Sequence, residues 1–193
     1  MKKIITLLLI ISFSFKTQNS LAQTGLVTPK AMVVSARVEA SKIGSEIMKK
    51  GGNAFDSMVA NELDLAVSFP YAGNIGGGGF MVYRKSNGEI GSLDYREKAP
   101  LAASKNMLHK EKGNVIKGKS LETALAIGVP GTIAGVFEVH KKLGSLPIEE
   151  ILKPVIELAE RGVIVTKKQE IQLKNHHEEI VKINGVKSLF SYA

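Results

Sequence analysis

Four consecutive glycines, Gly76 to Gly79, run straight into Phe80-Met81-Val82-Tyr83-Arg84. This junction limits the fold more than any other part of the chain. Glycines in series allow a tight corner and a close approach of other backbone, and the β-branched and aromatic residues behind them favour a strand. The spacing predicts strands over 80–84 and 90–95. Lys85-Ser86-Asn87-Gly88-Glu89 lies between them, and Asn-Gly is a strong hairpin signal. The second strand ends in Asp94-Tyr95-Arg96-Glu97-Lys98-Ala99-Pro100, where Pro100 prevents it from continuing as a central strand. The hairpin therefore delivers one arginine at a sharp stop.

Helical spacing surrounds this hairpin. Ala36, Ala40, Ile43 and Ile47 predict a helix over 37–50, ended by Gly51-Gly52. Asn53 is placed to cap a second helix, with Asp56 on its first turn. Phe55, Met58, Val59, Leu63, Ala66 and Val67 form its expected buried stripe, with Asn61, Glu62 and Asp64 facing away. Pro70 closes it. A lysine-rich loop is expected from Ser104 to Lys119. After Gly128-Val129-Pro130-Gly131, a helix over 132–143 should bury Ile133, Val136 and Phe137. Pro147 and Pro154 each suit the first turn of a short helix, the second ending at Arg161-Gly162. Thr166 can cap a last, polar helix through His176 and His177.

The N-terminus reads as a secretory signal. Met1-Lys2-Lys3, an apolar run from Ile4 to Phe15 and Ser20-Leu21-Ala22 form a basic region, an apolar region and a cleavage site. Residues 1–22 are the expected signal peptide and 23–193 the expected mature domain. The apolar run is too short for a stable membrane span. The localisation that follows is periplasmic or secreted. Removing Lys2, Lys3 and Lys16 lowers the formal charge from +8 to +5, with 23 basic and 18 acidic residues left. The lysines are scattered among glutamates rather than gathered with aromatics, which argues against nucleic-acid binding. The chain has no cysteine, so disulfides, thiolate metal sites and a cysteine nucleophile are excluded.

Several chemistries compete. The glycine run can present N–H groups to an anion, or simply form a corner between packed backbones. It precedes a strand instead of opening a helix, so it is not a dinucleotide fingerprint. Gly113-Asn114-Val115-Ile116-Lys117-Gly118-Lys119-Ser120 matches the P-loop pattern by letter, but no buried strand is expected before it. His109, His140, His176 and His177 lack zinc-protease spacing, and no metal or cofactor is expected. There is no Gly-x-Ser-x-Gly elbow. Arg96 remains. Its planar fork suits a carboxylate held bidentately. Local reasoning leaves two uses for it: a substrate anion, or an ion pair with Asp94 or Glu97.

The blocks Lys49-Lys50-Gly51-Gly52-Asn53-Ala54-Phe55-Asp56, Gly73 to Met81, Asp94 to Pro100, Gly128 to Gly135 and Pro154 to Ala159 together resemble the N-terminal part of the γ-glutamyltranspeptidase (glutathione hydrolase) large subunit. They occur in order over nearly all of the expected mature chain. The resemblance implies an α+β N-terminal-nucleophile fold, an αββα sandwich of two antiparallel sheets covered by helices, present as an incomplete N-terminal fragment. It implies a precursor that cleaves itself into two subunits. The freed threonine of the small subunit attacks a γ-glutamyl carbonyl, and the acyl group passes to water or an amino acid. In that scheme Arg96 binds the glutamyl α-carboxylate and Glu97 supports it from behind. The implied partners are a γ-glutamyl substrate such as glutathione and the small subunit. Related cephalosporin acylases share the fold and some of the blocks.

The sequence departs from the family in one respect. The nucleophile is expected in a threonine-threonine-histidine context, and none of Thr6, Thr17, Thr24, Thr28, Thr123, Thr132 and Thr166 is followed by threonine or histidine. The oxyanion-hole glycines and the groups that hold the substrate amine are expected beyond Ala193. These 193 residues alone are therefore expected to be inactive and poorly soluble. The rival reading is a non-catalytic secreted remnant or binding scaffold of the same fold. A P-loop protein is a distant third.

Overall fold

The computed structural model describes residues 25–110 and 113–184. By contacts they divide after Met32. In the first unit, Thr28 Oγ1 donates to Ala31 O at 2.8 Å and closes a turn. The expected signal peptide lies outside the described residues. No described helix is long and apolar enough to cross a membrane.

In the second unit, helix α1 (Val38–Lys49) buries Ala40, Ile43, Gly44 and Ile47. Their helical spacing gives the chain one apolar face, and Gly51 ends it with φ 101°. Helix α2 (Ala54–Ser68) begins as expected. Asn53 Oδ1 accepts from Phe55 N at 2.8 Å and Asp56 N at 3.0 Å, while Asp56 Oδ2 accepts from Asn53 N at 2.8 Å. This reciprocal cap satisfies N–H groups that a helix start otherwise leaves unpaired.

The outward face expected for α2 needs correction. Asp64 is fully buried, and Asn61 and Glu62 are half-buried. The helix packs against α1 and against two later helices, so it is covered on more than one side. Ser68 Oγ donates to Asp64 Oδ1 at 2.7 Å, which satisfies one of the two buried carboxylate oxygens.

Strands β1 (Phe80–Arg84) and β2 (Ile90–Asp94) pair antiparallel, with Phe80 opposite Asp94 and Arg84 opposite Ile90. Tyr95 N donates to Gly79 O at 3.0 Å and extends the pairing by one residue. Alternation sends Met81, Tyr83 and Leu93 towards the core and Phe80, Val82 and Ile90 outward. Tyr83 meets the Phe55 ring edge-on at 5.4 Å.

Helix α3 (Thr132–Leu143) has the predicted bounds but a rotated buried face. Thr132, Gly135, Val136 and Val139 are buried, while Ile133 and Phe137 are exposed. The Tyr95 ring lies against Gly135 and sets that rotation. Helix α4 (Ile148–Arg161) is one helix with Pro147 at its cap and Pro154 inside, not a short helix opened by Pro154. Proline removes one helical N–H. The stripe Ile151, Val155 and Leu158 packs on the core and carries the helix through it.

Residues 104–119 hold no helix or strand among those described, only an isolated bridge from His109 to Val115. Helix α5 (Lys167–Asn184) has no buried residue. Its cap is reciprocal: Thr166 N donates to Gln169 Oε1 at 2.9 Å and Gln169 N to Thr166 Oγ1 at 3.3 Å. Gln169 then fastens it, donating to Ser68 O at 3.1 Å and accepting from Arg37 Nη1 at 2.8 Å.

Candidate functional site

Arg96 follows β2, and its main chain lies in a slot between two loops. On one side is the glycine corner. A Cβ on Gly78 would stand 2.7 Å from Arg96 Cα, closer than side chains tolerate. On the other side, Lys98 and Val129 exchange both backbone hydrogen bonds, at 3.1 and 2.7 Å. There a Cβ on Gly131 would stand 3.1 Å from Arg96 O and would overlap the Tyr95 carbonyl.

The two walls of the slot are tied together. Gly77 O accepts from Gly131 N at 2.7 Å and Thr132 N at 3.0 Å, so the glycine corner caps α3. Asn74 Oδ1 accepts from Gly77 N and from Thr132 Oγ1, the latter at 3.1 Å. At this point the glycine run is an acceptor for a helix start, as a corner between packed backbones would be. The sequence pattern singles out neither Asn74 nor Thr132. The only available signals were an Asn opening the glycine run and a Thr just after Pro130-Gly131.

The Arg96 guanidinium stands at the mouth of this slot, with its side chain 63% exposed. Its Nε lies 3.3 Å from Glu97 Oε1, and its Cζ is 6.0 Å from the centre of the Phe80 ring. Asp94 instead accepts from the Arg96 backbone N–H at 3.0 Å. Of the two carboxylates the sequence offered as ion-pair partners, Glu97 is the one used. An exposed pair of this kind contributes at most about 1 kcal/mol. The contact occupies one edge of the fork and leaves the terminal nitrogens without a hydrogen bond among the described residues.

Tyr95, buried beneath Arg96, has its hydroxyl pKa raised by burial and by the charge of Glu62. Two aspartates of α2 lie elsewhere in the core. Asp56 accepts from Ser145 N at 2.9 Å, Ser145 Oγ and Leu146 N at 3.4 Å, besides the cap. Desolvation raises its pKa, but the hydrogen bonds from Ser145, Asn53 and Leu146 outweigh it and hold the carboxyl below its ordinary value. Burial pushes the Asp64 carboxyl up, and its Oδ2 has no hydrogen-bond partner among the described residues. Neither lies in the Arg96 slot.

The other sequence candidates are not assembled into sites. The stretch 113–120 is followed by turns and a short 3₁₀ turn (Ala124–Ala126), not by the helix a P-loop needs. His140 bonds Leu146 O at 2.8 Å and His176 meets Glu179 at 3.2 Å. No group of three metal-binding side chains occurs among the described residues.

Three stretches distant in sequence, 73–79, 94–98 and 128–132, thus meet around one arginine. Residues 40–192 match the family model described as Gamma-glutamyltranspeptidase. The chain belongs to the γ-glutamyltranspeptidase family. It is 46% identical over 144 residues to a glutathione hydrolase proenzyme of Pseudomonas sp. (strain A14), covering 75% of this chain and 25% of that protein. It is 41% identical over 152 residues to the Escherichia coli (strain K12) glutathione hydrolase proenzyme, covering 79% and 26%. The chain therefore spans about a quarter of the length of the curated relatives it matches.

Among solved structures, the Helicobacter pylori γ-glutamyltranspeptidase superposes with a TM-score of 0.80 at 43% identity, covering 84% of this chain and 47% of that one. The Pseudomonas nitroreducens enzyme complexed with L-DON gives 0.76 at 43% identity, covering 86% and 48%. A cephalosporin acylase from Bacillus halodurans gives 0.63 at 23% identity over 82% and 32%, a likeness of fold alone. The mixed arrangement of helices and sheet agrees with the part of the α+β expectation that these neighbours share.

Proposed function

We propose that this chain forms the carboxylate-binding wall of an enzyme that transfers or hydrolyses γ-glutamyl groups, glutathione among them. Arg96 binds the glutamyl α-carboxylate through its terminal nitrogens, and Glu97 orients the guanidinium from behind. The observation that carries this reading is the geometry of Arg96. Its main chain is wedged between two glycine-lined walls, and one edge of its fork is turned by Glu97 while the other stays open. A surface arginine with only a structural role needs no such slot.

The same reading extends to the whole protein. A threonine nucleophile freed by self-cleavage attacks the γ-carbonyl, inside a two-sheet N-terminal-nucleophile sandwich to which the β1–β2 hairpin contributes. The relatives are named as proenzymes, which supports a precursor processed into subunits. The reading places the mature protein, freed of a signal peptide ending at Ala22, in the periplasm or outside the cell, with a small subunit as its partner.

The test is Arg96→Ala in the native protein that carries this sequence. Each charge-assisted hydrogen bond contributes about 1.5–3 kcal/mol. Loss of a bidentate pair should then raise KM for a chromogenic γ-glutamyl anilide by roughly a hundredfold or more, with self-cleavage intact on a denaturing gel. An unchanged KM would return Arg96 to the ion-pair reading. The intact mass of the native protein checks the subunit expectation, which requires two chains.

A further inference from the structure

We propose that Asn74 is a positioning residue for Arg96, acting through a single side-chain oxygen that fixes the width of the slot. The inference rests on the reading of Arg96 as a carboxylate clamp. Asn74 Oδ1 takes two donors from the two walls, Gly77 N from the glycine corner and Thr132 Oγ1 from the start of α3. Thr132 is fully buried, so its hydroxyl has no water to turn to if that acceptor is lost. Gly77 O receives Gly131 N and Thr132 N across the same gap, and that pairing depends on where Asn74 holds the Gly77 peptide.

The slot has no slack. Gly78 and Gly131 face the Tyr95–Arg96–Glu97 main chain from opposite sides at distances that exclude even a methyl group. Among the described residues, the Arg96 side chain itself is held only by the exposed Glu97 contact and the Phe80 ring. The direction of its guanidinium is therefore inherited from its main chain, and the main chain from the walls. Asn74 needs only its acceptor for this role. Its amide donates to Ala72 O at 3.2 Å in an exposed contact that water can replace.

This separates three substitutions. Asn74→Ala removes the acceptor, Thr132→Val removes one donor while keeping the shape, and Asn74→Asp keeps an oxygen for both donors. In the native protein, Asn74→Ala should raise KM for a γ-glutamyl anilide roughly ten- to hundredfold, as misplacement of a binding group by about 1 Å does, with kcat within about threefold. Thr132→Val should shift KM the same way by less, and Asn74→Asp should restore it. Hydrogen exchange at the Tyr95 and Lys98 amides, measured by mass spectrometry on the same proteins, should quicken in the first two and not in the third.

Exchange unchanged in both Asn74→Ala and Thr132→Val overturns the proposal. So does faster exchange with KM unchanged, when Arg96→Ala raises KM. If Arg96→Ala leaves KM unaltered, the clamp reading has failed. The exchange data then decide by themselves whether Asn74 holds the Arg96 main chain. Thr132→Val keeps the test alive should Asn74→Ala fail to fold.

Discussion

At Arg96 the direction of the guanidinium depends on what surrounds the main chain. Gly78 is the sharpest instance: a methyl group there would meet Glu97 N and Arg96 Cα together. Gly78→Ala should therefore lower folding stability, by about 1–3 kcal/mol as overpacking does, and, on the proposed reading of Arg96 as a carboxylate clamp, affinity for a γ-glutamyl substrate. Chemical denaturation and KM report these separately. The carboxyls of α2 give a second prediction, about pH. Asp56 is held below its ordinary 3.8 in the folded state, so its contribution is complete above that pH and is lost as pH falls through the lower, folded value. Asp64 has the opposite sign. Its folded value is raised, so protonation favours the fold and its contribution fades as pH climbs through that raised value. Asp56→Asn should destabilise by about 3 kcal/mol at neutral pH, because donors are left facing an amide. It should also flatten the acid limb of a urea-midpoint profile, whereas Asp64→Asn should not.

Among the elements, helix α5 is held most lightly. It buries no residue, and Gln169 ties it to Arg37 and to Ser68 O. Arg37 is itself buried, with Nε and Nη2 on Glu39 at 3.1 and 2.9 Å and Nη2 on Ile164 O at 3.1 Å. Gln169→Ala should quicken amide exchange across 167–184 while leaving the melting temperature of the remaining core unchanged, because local opening need not involve the whole fold. Helix α2 is the contrast. Asn53 both caps it and donates to Leu143 O at 2.7 Å, tying α2 to the end of α3. Asn53→Ala should cost about 1–2 kcal/mol, seen as a lower urea midpoint with an unchanged slope.

At the scale of the whole molecule, one face of the hairpin is left uncovered by the described residues. Phe80, Val82 and Ile90 are 63, 80 and 71% exposed, and among the described residues the sheet has two strands only. Such a face favours association. The 193-residue chain, made by itself, should bind a hydrophobic dye and grow in light scattering with concentration. Val82→Glu with Ile90→Glu should suppress both. If the wild-type chain remains monomeric and dark with the dye, this account of its surface is wrong.

Local chemistry written in the sequence determined much of this protein. The Asn53 cap, the stop at Gly51, the Asn87-Gly88 hairpin and the bounds of α3 each depend on a few neighbouring residues, and all stand in the structure. The family was legible because several blocks recur in order. The tertiary structure decided which faces are buried and what holds Arg96. Asp64 points inward because three helices cover α2, α3 turns because the Tyr95 ring needs Gly135, and Pro154 sits within a helix whose packing outweighs its missing hydrogen bond. The Asn74 link joins residues 58 positions apart along the chain. No local pattern encodes such a contact, because its energy exists only once the two walls of the slot have met.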